Sequence, residues 1–114
     1  MILADTSIWV DHFRPGVPLL AALLEQGNVM IHPFVVGELA CGTLKSRVTV
    51  LRLLRELPKT PVATDPEVLA YIDRHALMGR GIGYVDVHLL AAATLADGAR
   101  LGRATSGSPR SQLG

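Results

Sequence analysis

Three apolar residues, Ile2-Leu3-Ala4, open the chain and end at a carboxylate, Asp5. A run this short, with no polar alternation, reads as a strand buried on both faces, as in a parallel sheet. The next segments supply the helices such a sheet needs. Residues 8–13 form a short helical segment, with Thr6 and Ser7 as capping candidates and Arg14-Pro15-Gly16 as its stop. Residues 18–25 place Leu19, Leu20, Leu23 and Leu24 at helical spacing, and Gly27-Asn28 closes the segment. Val29-Met30-Ile31 is the second strand. His32-Pro33 turns the chain into a helix that carries Phe34, Val35, Glu38, Leu39 and Leu44.

Further helices are expected over 47–56, from the Thr64-Asp65-Pro66-Glu67 start to about residue 77, and over 84–95. A weak strand is expected at Val62-Ala63, and another begins at Ala99-Arg100-Leu101. Short strands alternating with helices define an α/β chain whose sheet is short, mainly parallel and covered by helices. Such sheets place functional groups at the carboxyl ends of their strands, where Asp5 stands.

The 114 residues fit one compact domain. Apolar residues make up 49% of the chain and aromatics only 4%, so the core must be built from Leu, Val, Ile and Ala. The formal net charge of +1 gives no strong overall field for nucleic acid, so RNA binding would need local arginines or a bridging metal. Cys41 is the only cysteine, which rules out an intramolecular disulfide and suits a reducing compartment; its expected place is in the core. The first residues lack a basic leader, and no apolar run approaches the roughly 20 residues of a membrane span. A cytoplasmic protein is expected. From Gly102 to Gly114 the chain becomes rich in Gly, Ser and Arg, so residues 1–101 read as the domain and 102–114 as a flexible tail.

Three acids lie in apolar surroundings: Asp5, Glu38 within Phe34-Val35-Val36-Gly37-Glu38-Leu39-Ala40, and Asp86 within Gly83-Tyr84-Val85-Asp86-Val87-His88-Leu89-Leu90. An ionised carboxylate in such a setting needs compensation, and a cation provides it. Oxygen-only donors suit Mg²⁺ or Mn²⁺, which acidifies water and neutralises charge on a phosphate. Asp86 is expected in the first turn of its helix, and Glu38 one turn after Phe34 on a face that packs if Phe34 packs. Plainer roles exist: Asp5 and Asp86 as helix caps, Glu38 as a solvent-facing residue. Spacing alone does not make the three converge.

Met-Ile-Leu-Ala-Asp5-Thr6-Ser7-Ile8-Trp9-Val10-Asp11-His12 resembles the opening of VapC-type toxins of the PIN-domain ribonuclease family. His32-Pro33-Phe34-Val35-Val36-Gly37-Glu38-Leu39 resembles their second acidic motif, and the stretch from Gly79 to Leu90 their third. The likeness covers roughly residues 1–101. It implies a three-layer α/β/α PIN fold and the toxin component of a type II toxin–antitoxin system. The implied activity is an Mg²⁺-dependent endoribonuclease (Mn²⁺ as substitute) that hydrolyses RNA phosphodiester bonds. A VapB-like antitoxin and a homodimer are the implied partners. Asp5, Glu38 and Asp86 carry over as catalytic metal-site residues, and Ser7 as a hydroxyl orienting Asp5 or a water.

One departure stands out. PIN domains supply a fourth acid after the last long helix, in a Trp-Thr-Arg-Asp-like segment; the matching position here falls near Thr105. The final strand and helix are expected to be missing or altered, in a C-terminus that is frame-shifted or otherwise replaced. The alternative function is therefore a catalytically weakened or dead PIN-like protein that titrates an antitoxin. A receiver-like domain is disfavoured, because position 7 is Ser and breaks the Asp-x-Asp pattern.

Among other residues, Arg80 in Gly79-Arg80-Gly81-Ile82-Gly83 is a phosphate-contact candidate. That glycine-rich stretch follows a helix, which argues against a dinucleotide loop. His12, His32, His75 and His88 lack zinc-site spacing. Trp9 reads as core or interface, and Tyr84 as a candidate for stacking on a base. The segment from Leu51 to Leu57 reads as core, and Arg47, Arg52 and Arg55 either steer RNA or form a solvated face.

Overall fold

The computed structural model describes residues 1–96 and the backbone of 100–102. Three strands, β1 (Ile2–Ala4), β2 (Val29–Met30) and β3 (Arg100–Gly102), form a sheet in the order β2-β1-β3. Both pairings are parallel, with Leu3 opposite Met30 on one side and Leu101 on the other. As the opening apolar run requires, Ile2, Leu3 and Ala4 are all buried. Right-handed crossovers in this strand order demand helices on both faces, which is the α/β/α layering of a PIN-like fold. The chain passes from β1 to β2 on one side and crosses back over β1 to place β3 on the other, so β1 is the central strand.

Among the described residues, six helices surround the sheet: α1 (Thr6–His12), α2 (Pro18–Glu25), α3 (Pro33–Cys41), α4 (Arg47–Glu56), α5 (Asp65–Arg74) and α6 (Tyr84–Leu95). One core joins Leu3, Ile8, Trp9, Leu20, Val35, Leu39, Leu51, Leu54 and Leu89, so Trp9, Leu51 and Leu54 are core as expected, whereas Leu53 of the same segment is exposed. A smaller core under α5 and α6 gathers Ala63, Val68, Val87 and Ala91.

Several boundaries differ from the sequence-based expectation. The helix expected to reach residue 77 ends at Arg74. Ala76 adopts a left-handed φ of 50°, and the Leu77 N–H returns to the Ile72 carbonyl at 3.0 Å. Leu77 and Ile72 then pack on the same small core, the hydrophobic contact that accompanies such a Schellman ending. Gly27, with φ of 69°, closes α2 by the same hydrogen-bond pattern. α3 stops at Cys41 with extended Gly42 beyond it, leaving Leu44 outside the helix and Cys41 exposed, not in the core.

Val62-Ala63 forms no strand. The extra pairing occurs earlier, as a parallel bridge between Ile31 and Lys59, and Pro61 lacks the N–H needed to continue it. The fourth expected strand is present as β3. Apart from Gly102 in β3, the expected tail lies outside the described residues. Among the described residues, no helix is long and apolar enough to cross a membrane.

Candidate active site

The site begins where β1 ends. Asp5 is buried, keeps an extended backbone and caps α1: its Oδ1 accepts from the Ile8 N–H at 3.2 Å and from the Ser7 hydroxyl at 2.7 Å. Of the caps that the sequence offered for α1, Asp5 is the one realised, in place of Thr6 or Ser7, and Ser7 braces it. Thr6, set free from capping, donates its hydroxyl to Glu38 Oε1 at 2.7 Å. This bond, 32 residues apart in sequence, ties the first turn of α1 to α3 and brings Glu38 beside the residue next to Asp5. Glu38 is exposed, and so is Phe34 one turn earlier, so that face of α3 points outward rather than into the core.

His32 stands at the end of β2, and the β1–β2 register continued by two residues sets it level with Asp5. It is completely buried and caps α3, its Nδ1 accepting from the Phe34 N–H at 3.0 Å. An accepting Nδ1 leaves the proton of the neutral ring on Nε2. Burial first, and the nearby His88 second, lower its pKa from 6.5 to about 4. Two neighbouring strand ends therefore both cap the next helix in the chain, one with a carboxylate and one with an imidazole. The sequence offered Thr6 only as a cap and His32 only as part of the turn into α3; the Asp-Thr and His-Pro pairs at strand-to-helix junctions were the available signals.

Asp86 lies in the first turn of α6, where the helix dipole favours its charge. It does not cap the helix, since Gly83 occupies that position. Its carboxylate is partly buried and makes no hydrogen bond or ion pair with the described residues. α6 reaches the strand ends through His88, whose ring centroid lies 6.4 Å from that of His32. Arg80 is exposed, held in a loop between Gly79 and Gly81, each with φ of 72°. The structure thus joins Asp5 to Ser7 and Glu38 to Thr6, while no described hydrogen bond links Asp86 or Arg80 to them.

Among the described residues, no three His, Cys, Asp or Glu side chains lie close enough together to hold one ion. The donor chemistry nonetheless suits a hard divalent cation, because carboxylates and hydroxyls are the only groups offered by Asp5, Ser7, Thr6 and Glu38. Mg²⁺ needs just one or two carboxylates and keeps several waters.

A parallel sheet in the order β2-β1-β3, covered by helices and with an acid at the end of its central strand, defines an α/β domain with an acidic strand end. The PIN domain family model matches residues 2–103, and the chain belongs to that family. Within it the chain is VapC-like: it is 46% identical over 101 residues to Ribonuclease VapC32 of two Mycobacterium tuberculosis strains, covering 89% of this chain and 82% of the relative.

Proposed function

We propose that this protein is a toxin-type endoribonuclease that cuts RNA phosphodiester bonds with Mg²⁺, or Mn²⁺ in its place, held by one or two of the carboxylates Asp5, Asp86 and Glu38 directly and by the rest through bound water. The observation that carries the reading is the Thr6–Glu38 hydrogen bond, which draws the second acid to the carboxyl end of β1 where Asp5 stands. The likeness to a relative named a ribonuclease supports it along nearly the whole length of both chains.

When bound, the ion supplies positive charge against the scissile phosphate and acidifies water. The chain's own groups do the rest. Ser7 fixes the rotamer of Asp5, and Thr6 fixes that of Glu38. Asp86 approaches from the N-terminus of α6, and Arg80 contacts a flanking phosphate. A VapB-like antitoxin, a homodimer and a cytoplasmic location belong to the same proposal.

RNA cleavage by the wild type and by Asp5→Ala, with Mg²⁺ and with Mn²⁺, tests it. Loss of cleavage in the variant is expected; equal residual cleavage by both proteins removes the assigned site. The second reading, a weakened or inactive protein that titrates an antitoxin, draws on one feature: beyond Asp97 the sequence contains no Asp or Glu. Antitoxin binding without any RNA cleavage is the result that favours it.

A further inference from the structure

We propose that Phe34 and Tyr84 form an aromatic platform on which a base of single-stranded RNA stacks beside the acidic end of the sheet. This rests on the reading of the protein as an RNA-cutting enzyme, and it assigns the way the substrate is gripped.

The chain has two Phe, two Tyr and one Trp, so aromatic rings are scarce. Trp9 is buried, whereas Phe34 is 37% exposed and Tyr84 47%. Both sit in the first turn of a helix that carries a site acid: Phe34 one turn before Glu38 on α3, and Tyr84 two residues before Asp86 on α6. Helix formation asks for neither ring at these places, since aromatic residues are only middling helix formers.

The two rings share one support. Phe34 and Tyr84 each pack edge-to-face on His88, with centroid separations of 4.8 Å and interplanar angles of 61° and 86°. His88 is 3% exposed and is backed by buried His32, which also touches Phe34 at 4.9 Å. The Tyr84 hydroxyl donates to Asp65 Oδ1 at 3.2 Å, which restrains the ring at its far end. Exposed rings on a buried, ring-lined floor are preorganised, so stacking on them costs little side-chain entropy.

Stacking also answers an electrostatic difficulty. With a net charge of +1 and acids at the site, long-range attraction for RNA is weak. A π-face attracts any base without charge, and it favours single strands, whose bases are free to splay out.

The test uses full-length protein in metal-free buffer and single-stranded oligoribonucleotides carrying 2-aminopurine at successive positions. Stacking quenches this fluorescent base. Wild type is expected to quench the probe at one preferred position. Phe34→Leu and Tyr84→Leu should lose that quench and bind about tenfold more weakly, while Tyr84→Phe keeps it. Thermal melting identifies any variant that fails to fold; Tyr84→Phe and Phe34→Tyr, which preserve a ring, then carry the test through retained quenching. No quench by wild type, or an unchanged quench in the folded Leu variants, overturns the platform. A quench without cleavage in Mg²⁺ or Mn²⁺ leaves the platform standing and removes the nuclease reading instead.

Discussion

Helices α5 and α6 both begin with acids in their first turn, and the two N-termini use them differently. In α5 the acid is consumed by the fold: the Thr64 hydroxyl accepts from the Glu67 N–H at 3.3 Å, and the Glu67 carboxylate accepts from the Thr64 N–H at 2.8 Å. That reciprocal capping box satisfies two backbone donors that would otherwise lack partners. In α6 the cap is Gly83, which offers no side chain, and the Asp86 carboxylate is left unspent among the described residues. Both acids gain from the helix dipole, but only one is required by it. An acid that the fold does not use is the better candidate for function. Asp5 stands between the two cases, capping α1 while facing the site.

Substitutions can break that distinction directly. The largest effect is expected for Asp86→Asn: cleavage should fall by at least about 100-fold, more than the loss of an outer-shell partner brings. The urea midpoint should barely move, since only the dipole contribution, roughly 0.3–1 kcal/mol, is at stake. Added Mg²⁺ should raise the melting temperature of wild type and not of this variant, through preferential binding to the folded state. Asp5→Ala should lose activity to a similar degree and also destabilise the fold by about 1 kcal/mol, because it removes a cap. Equal stability losses in both variants, measured by urea denaturation, would show that Asp86 is structural after all.

Next in size comes the cap without a carboxylate. His32 is neutral when folded, and charging it means protonating Nδ1, which destroys its bond to the Phe34 N–H. Its folded pKa of about 4 lies below the unfolded value of 6.5. Between these values the unfolded chain binds the proton and the native one does not, so stability falls as pH drops from 6.5 to 4 and levels off below. The full excursion is about 3 kcal/mol. His32→Asn keeps a capping acceptor but cannot titrate. Its urea midpoint, though lower at neutral pH, should be nearly flat through that window; a slope equal to that of wild type would acquit His32.

The sheet and most helices were legible because their signals are local: an apolar triplet ending in Asp5, leucines at helical spacing in α2, proline at the start of α3. What failed were endings set by tertiary contacts. Nothing in the sequence around Ala76 announces a left-handed residue, since the gain comes from Leu77 folding back on Ile72. The strand expected at Val62-Ala63 was misplaced because the Ile31–Lys59 bridge depends on a neighbour far away in sequence. At the site, the identities of the acids and the Ser7 brace of Asp5 came from motif likeness, but the Thr6 brace of Glu38 did not. The bond from Thr6 to Glu38 and the level placement of His32 with Asp5 exist only once β1, β2 and α3 have packed together.

The smallest expected effects belong to the capping box, and they test whether α5 carries structure alone. Thr64→Ala should cost about 1 kcal/mol without changing cleavage. Glu67 is subtler. The backbone N–H of Thr64, and secondarily its side chain, hold the Glu67 carboxyl below its ordinary pKa of 4.5. A carboxylate depressed in the folded state stabilises the fold above 4.5, and that contribution disappears as pH falls through the folded value. Glu67→Gln retains an acceptor for the Thr64 N–H and removes the titration. The variant should match wild type in cleavage, lie slightly below it in urea midpoint at neutral pH, and lose less stability on acidification below pH 4.5. A loss of RNA cleavage in Glu67→Gln would mean that the α5 N-terminus, like that of α6, belongs to the site, and that a completed cap does not mark an acid as structural.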